Sequence, residues 1–88
     1  MPEQTIFVVD DDPAVSRALA SAGKLLGLPV IAFTSALEFL RTDSRFQPGC
    51  LVLDIKMPGL TGLELQQQLV GEGNALPIIM ISGHADVG

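Results

Sequence analysis

Four short apolar runs, separated by stretches with helical spacing, frame this chain. Ile6-Phe7-Val8-Val9 is largely β-branched and breaks on Asp10-Asp11-Asp12-Pro13. Pro29-Val30-Ile31-Ala32-Phe33, the run from Cys50 to Leu53, and Leu76-Pro77-Ile78-Ile79-Met80-Ile81 repeat the pattern. Continuous runs of this length, without polar alternation, suit strands buried on both faces, as in parallel sheets. Pro77 is tolerable because it stands near the start of its run.

Between the runs the period changes. Asp12 followed by Pro13 predicts a helix N-cap with proline at the first helical position. Val15, Ala18, Leu19, Ala22, Leu25 and Leu26 then form one expected apolar stripe. Gly27 can close that helix in a left-handed conformation, and Gly23 within it should cost about 1 kcal/mol relative to alanine. Ser35-Ala36-Leu37-Glu38 has capping-box spacing, with Leu37 and Leu40 as expected core contacts. That helix should end in the polar stretch around Thr42-Asp43-Ser44. Thr61-Gly62-Leu63-Glu64 is a second capping box, opening a helix to about Val70 whose buried face is expected to carry Leu63, Leu69 and Val70.

The order is therefore βαβαβαβ. Alternating strands and helices predict a parallel sheet with right-handed crossovers. The expected fold is α/β, a flavodoxin-like doubly wound sheet in the order 2-1-3-4, in a single domain over residues 1–88. The chain stops where another helix is expected. The sequence reading is thus a truncated domain whose fourth strand lacks a covering helix.

Composition narrows the function classes. Hydrophobic residues make up 48% of the chain and charged residues 17%, which argues for a packed globule over disorder. The net charge is −5, and the five Lys or Arg residues are scattered, so nothing favours direct nucleic-acid binding by this segment. An acidic balance is compatible with cations or basic partners. Cys50 is the one cysteine, which excludes an intrachain disulfide. No leader pattern opens the chain, and no apolar run approaches the roughly 20 residues that span a bilayer. A soluble, cytoplasmic protein is expected, with no membrane partner.

Two carboxylate sites close predicted strands: Asp10-Asp11 after the first and Asp54 after the third. In the order 2-1-3-4 these strands are neighbours across the switch point, so the sites should face each other over one crevice. Carboxylates gathered in one cleft repel each other, and burial adds a desolvation cost. A hard cation such as Mg2+ relieves both. A carboxylate beside Mg2+ can also act as a nucleophile toward phosphorus, giving an acyl phosphate. Ser82, after the fourth strand, would sit on the same edge and could hydrogen-bond a phosphoryl oxygen. Plainer readings stand beside each of these. Asp12 serves as a cap, Asp10 and Asp11 could be solvated turn residues, and Asp54 could form the turn with Pro58-Gly59. Lys56 could be an exposed loop side chain, and Ser82-Gly83-His84 an ordinary turn.

The combination is more specific than its parts. Val8-Val9-Asp10-Asp11-Asp12-Pro13, then Leu53-Asp54-Ile55-Lys56-Met57-Pro58-Gly59 with Gly62, then Ile81-Ser82-Gly83-His84, resembles the receiver domain of two-component response regulators. The Ser-Gly-His-x-Asp-Val ending looks like the FixJ-type branch, whose members usually join the receiver to a helix-turn-helix DNA-binding domain. The resemblance implies that Asp54 is the phospho-acceptor and Ser82 the switch hydroxyl. It implies Mg2+ on Asp10, Asp11, Asp54 and the main-chain carbonyl of Lys56, with Asp11 favoured as a direct ligand. The implied donor is a phosphohistidine on a sensor histidine kinase, and the implied output is transcription.

The expected function is a regulatory phospho-acceptor rather than a classical enzyme, one that at most catalyses its own phosphorylation and dephosphorylation. Receivers carry a fifth strand, ending in a lysine that pairs with the phosphate, and further helices. This sequence has no match to them, so the resemblance implies a receiver truncated after its fourth strand, lacking the fifth strand and last helices. That departure keeps an alternative open, a phosphorylation-independent interaction or dimerisation module. Such a module would pair as a homodimer or domain-swapped oligomer through the Leu76–Ile81 edge. A metal-dependent phosphohydrolase fits less well, because such enzymes usually carry the nucleophile after the first strand.

Overall fold

All strand pairings in the computed structural model, which describes residues 4–81, are parallel. The elements are β1 (Thr5–Val9), α1 (Pro13–Leu26), β2 (Val30–Phe33), α2 (Ala36–Leu40), a 3-10 turn (Ser44–Phe46), β3 (Gly49–Asp54), α3 (Gly62–Gly71) and β4 (Ile78–Ile81). They form a four-stranded sheet in the order β2-β1-β3-β4 among the described residues, as the sequence predicts. No helix among these residues is long and apolar enough to cross a membrane.

The register decides which side chains share a face. Val9 lies opposite both Phe33 and Leu53, and Asp54 lies opposite Ile81. Phe7, Val9, Phe33, Leu51 and Leu53 point to one face, where Phe39 of α2 and Leu65 and Leu69 of α3 close over them. Phe39 meets the rings of Phe33 and Phe7 edge-on, at centroid distances of 5.3 and 6.2 Å. The other face carries Val30, against which α1 packs. A Cβ on Gly23 would come within 2.4 Å of Val30 Cγ2 and 2.8 Å of the Leu28 carbonyl oxygen. The glycine expected to weaken α1 is therefore the point at which the helix touches the sheet.

Helix ends follow the sequence closely. Asp12 accepts a hydrogen bond from the Ala14 N–H at 2.9 Å, and such a cap stabilises a helix by about 1 kcal/mol. Gly27 ends α1 at φ 72°. Thr61 and Glu64 form a complete capping box. At Ser35 the box is half made. Its hydroxyl accepts the Glu38 N–H, but the Glu38 carboxylate takes the Thr34 hydroxyl.

Helix faces depart from the sequence reading in three places. In α1 no residue of the stripe is buried: Val15 and Leu19 are half-buried, Ala18 and Ala22 are exposed, and Leu25 and Leu26 are 90% and 69% exposed. The buried position is instead Gly23, which meets Val30 of β2. In α2 the buried residues are Ala36 and Phe39; Leu40 is half-buried and packs against the core as expected, but Leu37 is exposed. A five-residue helix has one inward side, and Phe39 takes it because two phenylalanine rings wait there. In α3, Leu65 and Leu69 are buried at i and i+4, and Leu63 and Val70 face outward. Gly62 fixes that rotation, because it rests on the main chain at the end of β3. The polar stretch after α2 winds into the 3-10 turn. There Arg45 Nη1 donates to the Leu40 and Thr42 carbonyls at 2.7 and 3.2 Å. Asn74 Nδ2 donates to the Arg45 carbonyl at 2.7 Å, tying this turn to the connection before β4.

Candidate functional site

The carboxyl ends of β1 and β3 lie side by side because their strands pair directly. Main-chain bonds continue the ladder one step past each strand. Asp10 N–H donates to the Phe33 carbonyl at 3.1 Å, and Ile55 N–H donates to the Ile81 carbonyl at 3.0 Å. Both carboxylate-bearing positions are thereby held by the sheet rather than by a free loop.

Asp10 and Asp54 are buried to 1% and 0% exposure, whereas Asp11 is exposed. One carboxylate oxygen from each of the three lies within 4.8 Å of the others. The same local device orients both buried groups. Asp10 Oδ1 accepts the Asp12 N–H at 2.8 Å, and Asp54 Oδ1 accepts the Lys56 N–H at 3.1 Å. Each is a side chain bonding the backbone two residues on, which freezes the carboxylate plane. Sequence reasoning brought Asp10, Asp11 and Asp54 to one edge, and the structure does bring them together. Lys56 stands two residues past the end of β3 with its side chain exposed, the plainer of the two readings given for it. Ser82 lies outside the described residues.

Burial works against charge here. The Asp10 carboxyl is pushed above its ordinary value of 3.8, first by desolvation and then by the nearby charges of Asp54, Asp11 and Asp12; the Asp12 N–H opposes the shift. Asp10 Oδ2 is buried and, among the described residues, has no hydrogen-bond partner. An acceptor oxygen left in that state costs about 1–3 kcal/mol unless something fills it. Three converging carboxylates are oxygen donors of the hard type that Mg2+ selects, so the residues fit a divalent cation.

A pH dependence follows from Asp10. Without metal, a raised native pKa means that the folded chain holds its proton more tightly than the unfolded one. Asp10 therefore contributes stability that is complete below the ordinary value of 3.8 and is lost as pH rises through its native pKa. In chelator, Asp10→Asn is expected to be more stable than the parent at neutral pH, and the difference should close as the pH falls below 3.8. Urea midpoints across pH check this; a gap that widens toward acid would contradict it.

Two residues beside Asp54, both quoted in the sequence motif, have packing roles that the sequence reading did not assign. Met57 is 6% exposed and belongs to the core cluster, so it pins the loop from below. Its signal was an apolar side chain between Lys56 and Pro58. Gly62 was noticed as part of a motif, but the contact that demands it could only be seen in three dimensions. By contrast, an open cavity of about 330 Å3 lined by Arg45, Phe46 and the segment from Glu72 to Leu76 opens at the amino ends of β3 and β4, away from the carboxylates.

The profile of the response regulator receiver domain matches residues 6–88. The response regulator protein TmoT of Ectopseudomonas mendocina is 46% identical over 97% of this chain, which spans 39% of that protein. The transcriptional regulatory protein FixJ of Azorhizobium caulinodans is 42% identical over 99% of this chain and 42% of its own length. The solved structure of the response regulator StyR superposes with a TM-score of 0.87 at 42% identity, covering 98% of this chain and 43% of StyR. The chain thus spans about two fifths of the length of the relatives it matches. A profile match over nearly every residue, relatives at this identity, and a close superposition on a solved response regulator leave one assignment: the chain belongs to the response regulator receiver domain family.

Proposed function

We propose that this chain, acting as one unit over residues 1–88, is the phospho-acceptor module of a two-component response regulator. Asp54 takes a phosphoryl group from a phosphohistidine on a sensor histidine kinase, with Mg2+ held by Asp10, Asp11, Asp54 and the Lys56 carbonyl. One observation carries the reading: three carboxylates converge within 4.8 Å on one sheet edge, two of them withdrawn from solvent.

The chemistry is a displacement at phosphorus. An Asp54 carboxylate oxygen forms a bond to phosphorus while the phosphorus–nitrogen bond of the donor breaks. The electron pair returns to the imidazole, leaving an acyl phosphate on Asp54 and free histidine on the kinase. A bound divalent cation supplies charge neutralisation for the carboxylates and the transferring group. Asp54 is presented in one orientation by the Lys56 N–H. Asp10 is held likewise by the Asp12 N–H. The Ser82 hydroxyl is proposed to bond a phosphoryl oxygen and so report the modified state. FixJ is named as a transcriptional regulatory protein, which supports transcription as the output and the cytoplasm as the place of action. Incubation with acetyl phosphate and Mg2+, followed by intact-mass measurement, should show one added phosphoryl group. An unmodified mass would overturn the reading.

A second reading rests on a separate observation. β4 is an outer strand of the sheet among the described residues, and Ile79 on it is 54% exposed. A bare apolar strand edge invites pairing with another chain. Under this reading the module self-associates into a homodimer or domain-swapped oligomer through β4, independently of phosphorylation. Light scattering of the 88-residue chain should give more than the 9.3 kDa monomer mass at high concentration. A strictly monomeric mass would exclude it.

A further inference from the structure

We propose that Gly62 is a positioning residue for the acceptor site. Its missing side chain lets the first residue of α3 rest on the main chain of Asp54, and that contact sets where the Asp54 carboxylate and the Lys56 carbonyl stand. The inference rests on the acceptor and metal reading given above.

The steric case is direct. A Cβ on Gly62 would lie 2.2 Å from the Asp54 carbonyl oxygen, 3.0 Å from the Asp54 carbonyl carbon and 3.1 Å from Ile55 Cα. These are backbone atoms, so no rotamer change can clear them. The conformational case for glycine is absent, because Gly62 is not among the glycines with positive φ. Gly59 is the reverse: its φ is 76°, and a Cβ there would meet nothing within 4 Å. The loop thus has one glycine for its turn and another for close approach.

What would yield to a side chain at Gly62 is also on the page. The end of β3 is clamped on one side by the Ile55 N–H bond to Ile81 and on the other by pairing with β1. Below, Met57 is locked in the core. α3 reaches the strand end through the Gly62 N–H, which donates to the Ile55 carbonyl at 3.4 Å. An added methyl drives α3 off the strand end or twists Ile55. Either movement reaches Lys56 and the N–H that orients Asp54 Oδ1. Groups that aim a ligand without touching the metal commonly change metal affinity by about 10–100-fold when altered.

The test uses Mg2+ alone, titrated into the 88-residue chain and read by amide chemical shifts. Gly62→Ala should bind Mg2+ about 10–100-fold more weakly than the parent in the folded population. Gly71→Ala, at a helix position where a Cβ meets nothing within 4 Å, should bind as the parent does. A merely structural role would lower the melting temperature of Gly62→Ala and leave the affinity of the folded molecules unchanged, and that result overturns the proposal. Should Gly62→Ala not fold, the parent protein decides. Its Gly62 amide should shift with the same midpoint as the Lys56 amide as Mg2+ is added, and a Gly62 amide that stays still overturns the inference. A parent that binds no Mg2+ removes the metal reading itself, an outcome distinct from failure at Gly62.

Discussion

Asp54→Asn abolishes phosphoryl labelling by acetyl phosphate and Mg2+ while leaving the fold intact. The two halves of that expectation come from different features of the same residue. Asparagine keeps the size of the side chain and an oxygen that can accept the Lys56 N–H, so the loop stays tied. It removes the carboxylate oxygen that attacks phosphorus, and an amide is no substitute as a nucleophile. It also removes a charge that pushes the Asp10 carboxyl upward, so the metal-free variant should be no less stable than the parent. Labelling measured by intact mass beside a urea melt separates loss of chemistry from loss of structure. Equal labelling of parent and variant would place the modification elsewhere and overturn the assignment of Asp54. Labelling lost together with the fold would contradict the account of how this side chain is held.

Part of this molecule is legible in its sequence for reasons that Asp54 illustrates. Strand ends were legible because apolar runs stop abruptly on charge, as at Val9-Asp10 and Leu53-Asp54, and parallel pairing puts such ends on one edge. Helix starts were legible because Asp12, Ser35 and Thr61 are capping residues, and caps act within a few residues of themselves. Helix faces were less legible. The pattern of leucines in α3 allowed more than one buried side, and the choice fell to Leu65 and Leu69 because Gly62 docks on the third strand, a contact between elements. In α1 the contact with the sheet falls on Gly23, a residue without a side chain, so the apolar stripe did not mark the buried side. In the site, the three carboxylates were visible as residue types at strand ends. The depth of Asp10 and Asp54, and the matching N–H bonds to Asp12 and Lys56 that freeze them, depend on the assembled loops.

Phe39→Ala is expected to unfold much of the population near physiological temperature. Phe39 is fully buried, contacts both Phe33 and Phe7 edge-on, and is the main apolar side chain that α2 sends into the core. Truncating a buried phenylalanine typically costs about 3–5 kcal/mol, part lost transfer energy and part cavity. Edge-to-face ring pairs add about 0.5–1.5 kcal/mol each beyond area burial. At about 0.05–0.15 kcal/mol per residue, a chain of 88 residues has roughly 4–13 kcal/mol in total. The substitution therefore removes a large share of the whole. With about 4–8 °C of melting temperature per kcal/mol in domains of this size, the drop should be on the order of 20 °C. Leu25→Ala is the matched contrast: Leu25 is equally apolar but 90% exposed, and its loss should change stability by no more than about 0.5 kcal/mol. Thermal melts of the two variants decide the matter. Similar shifts for both would mean that the core does not lie between the sheet and α2, and the carboxylate edge would lose the support on which its geometry depends.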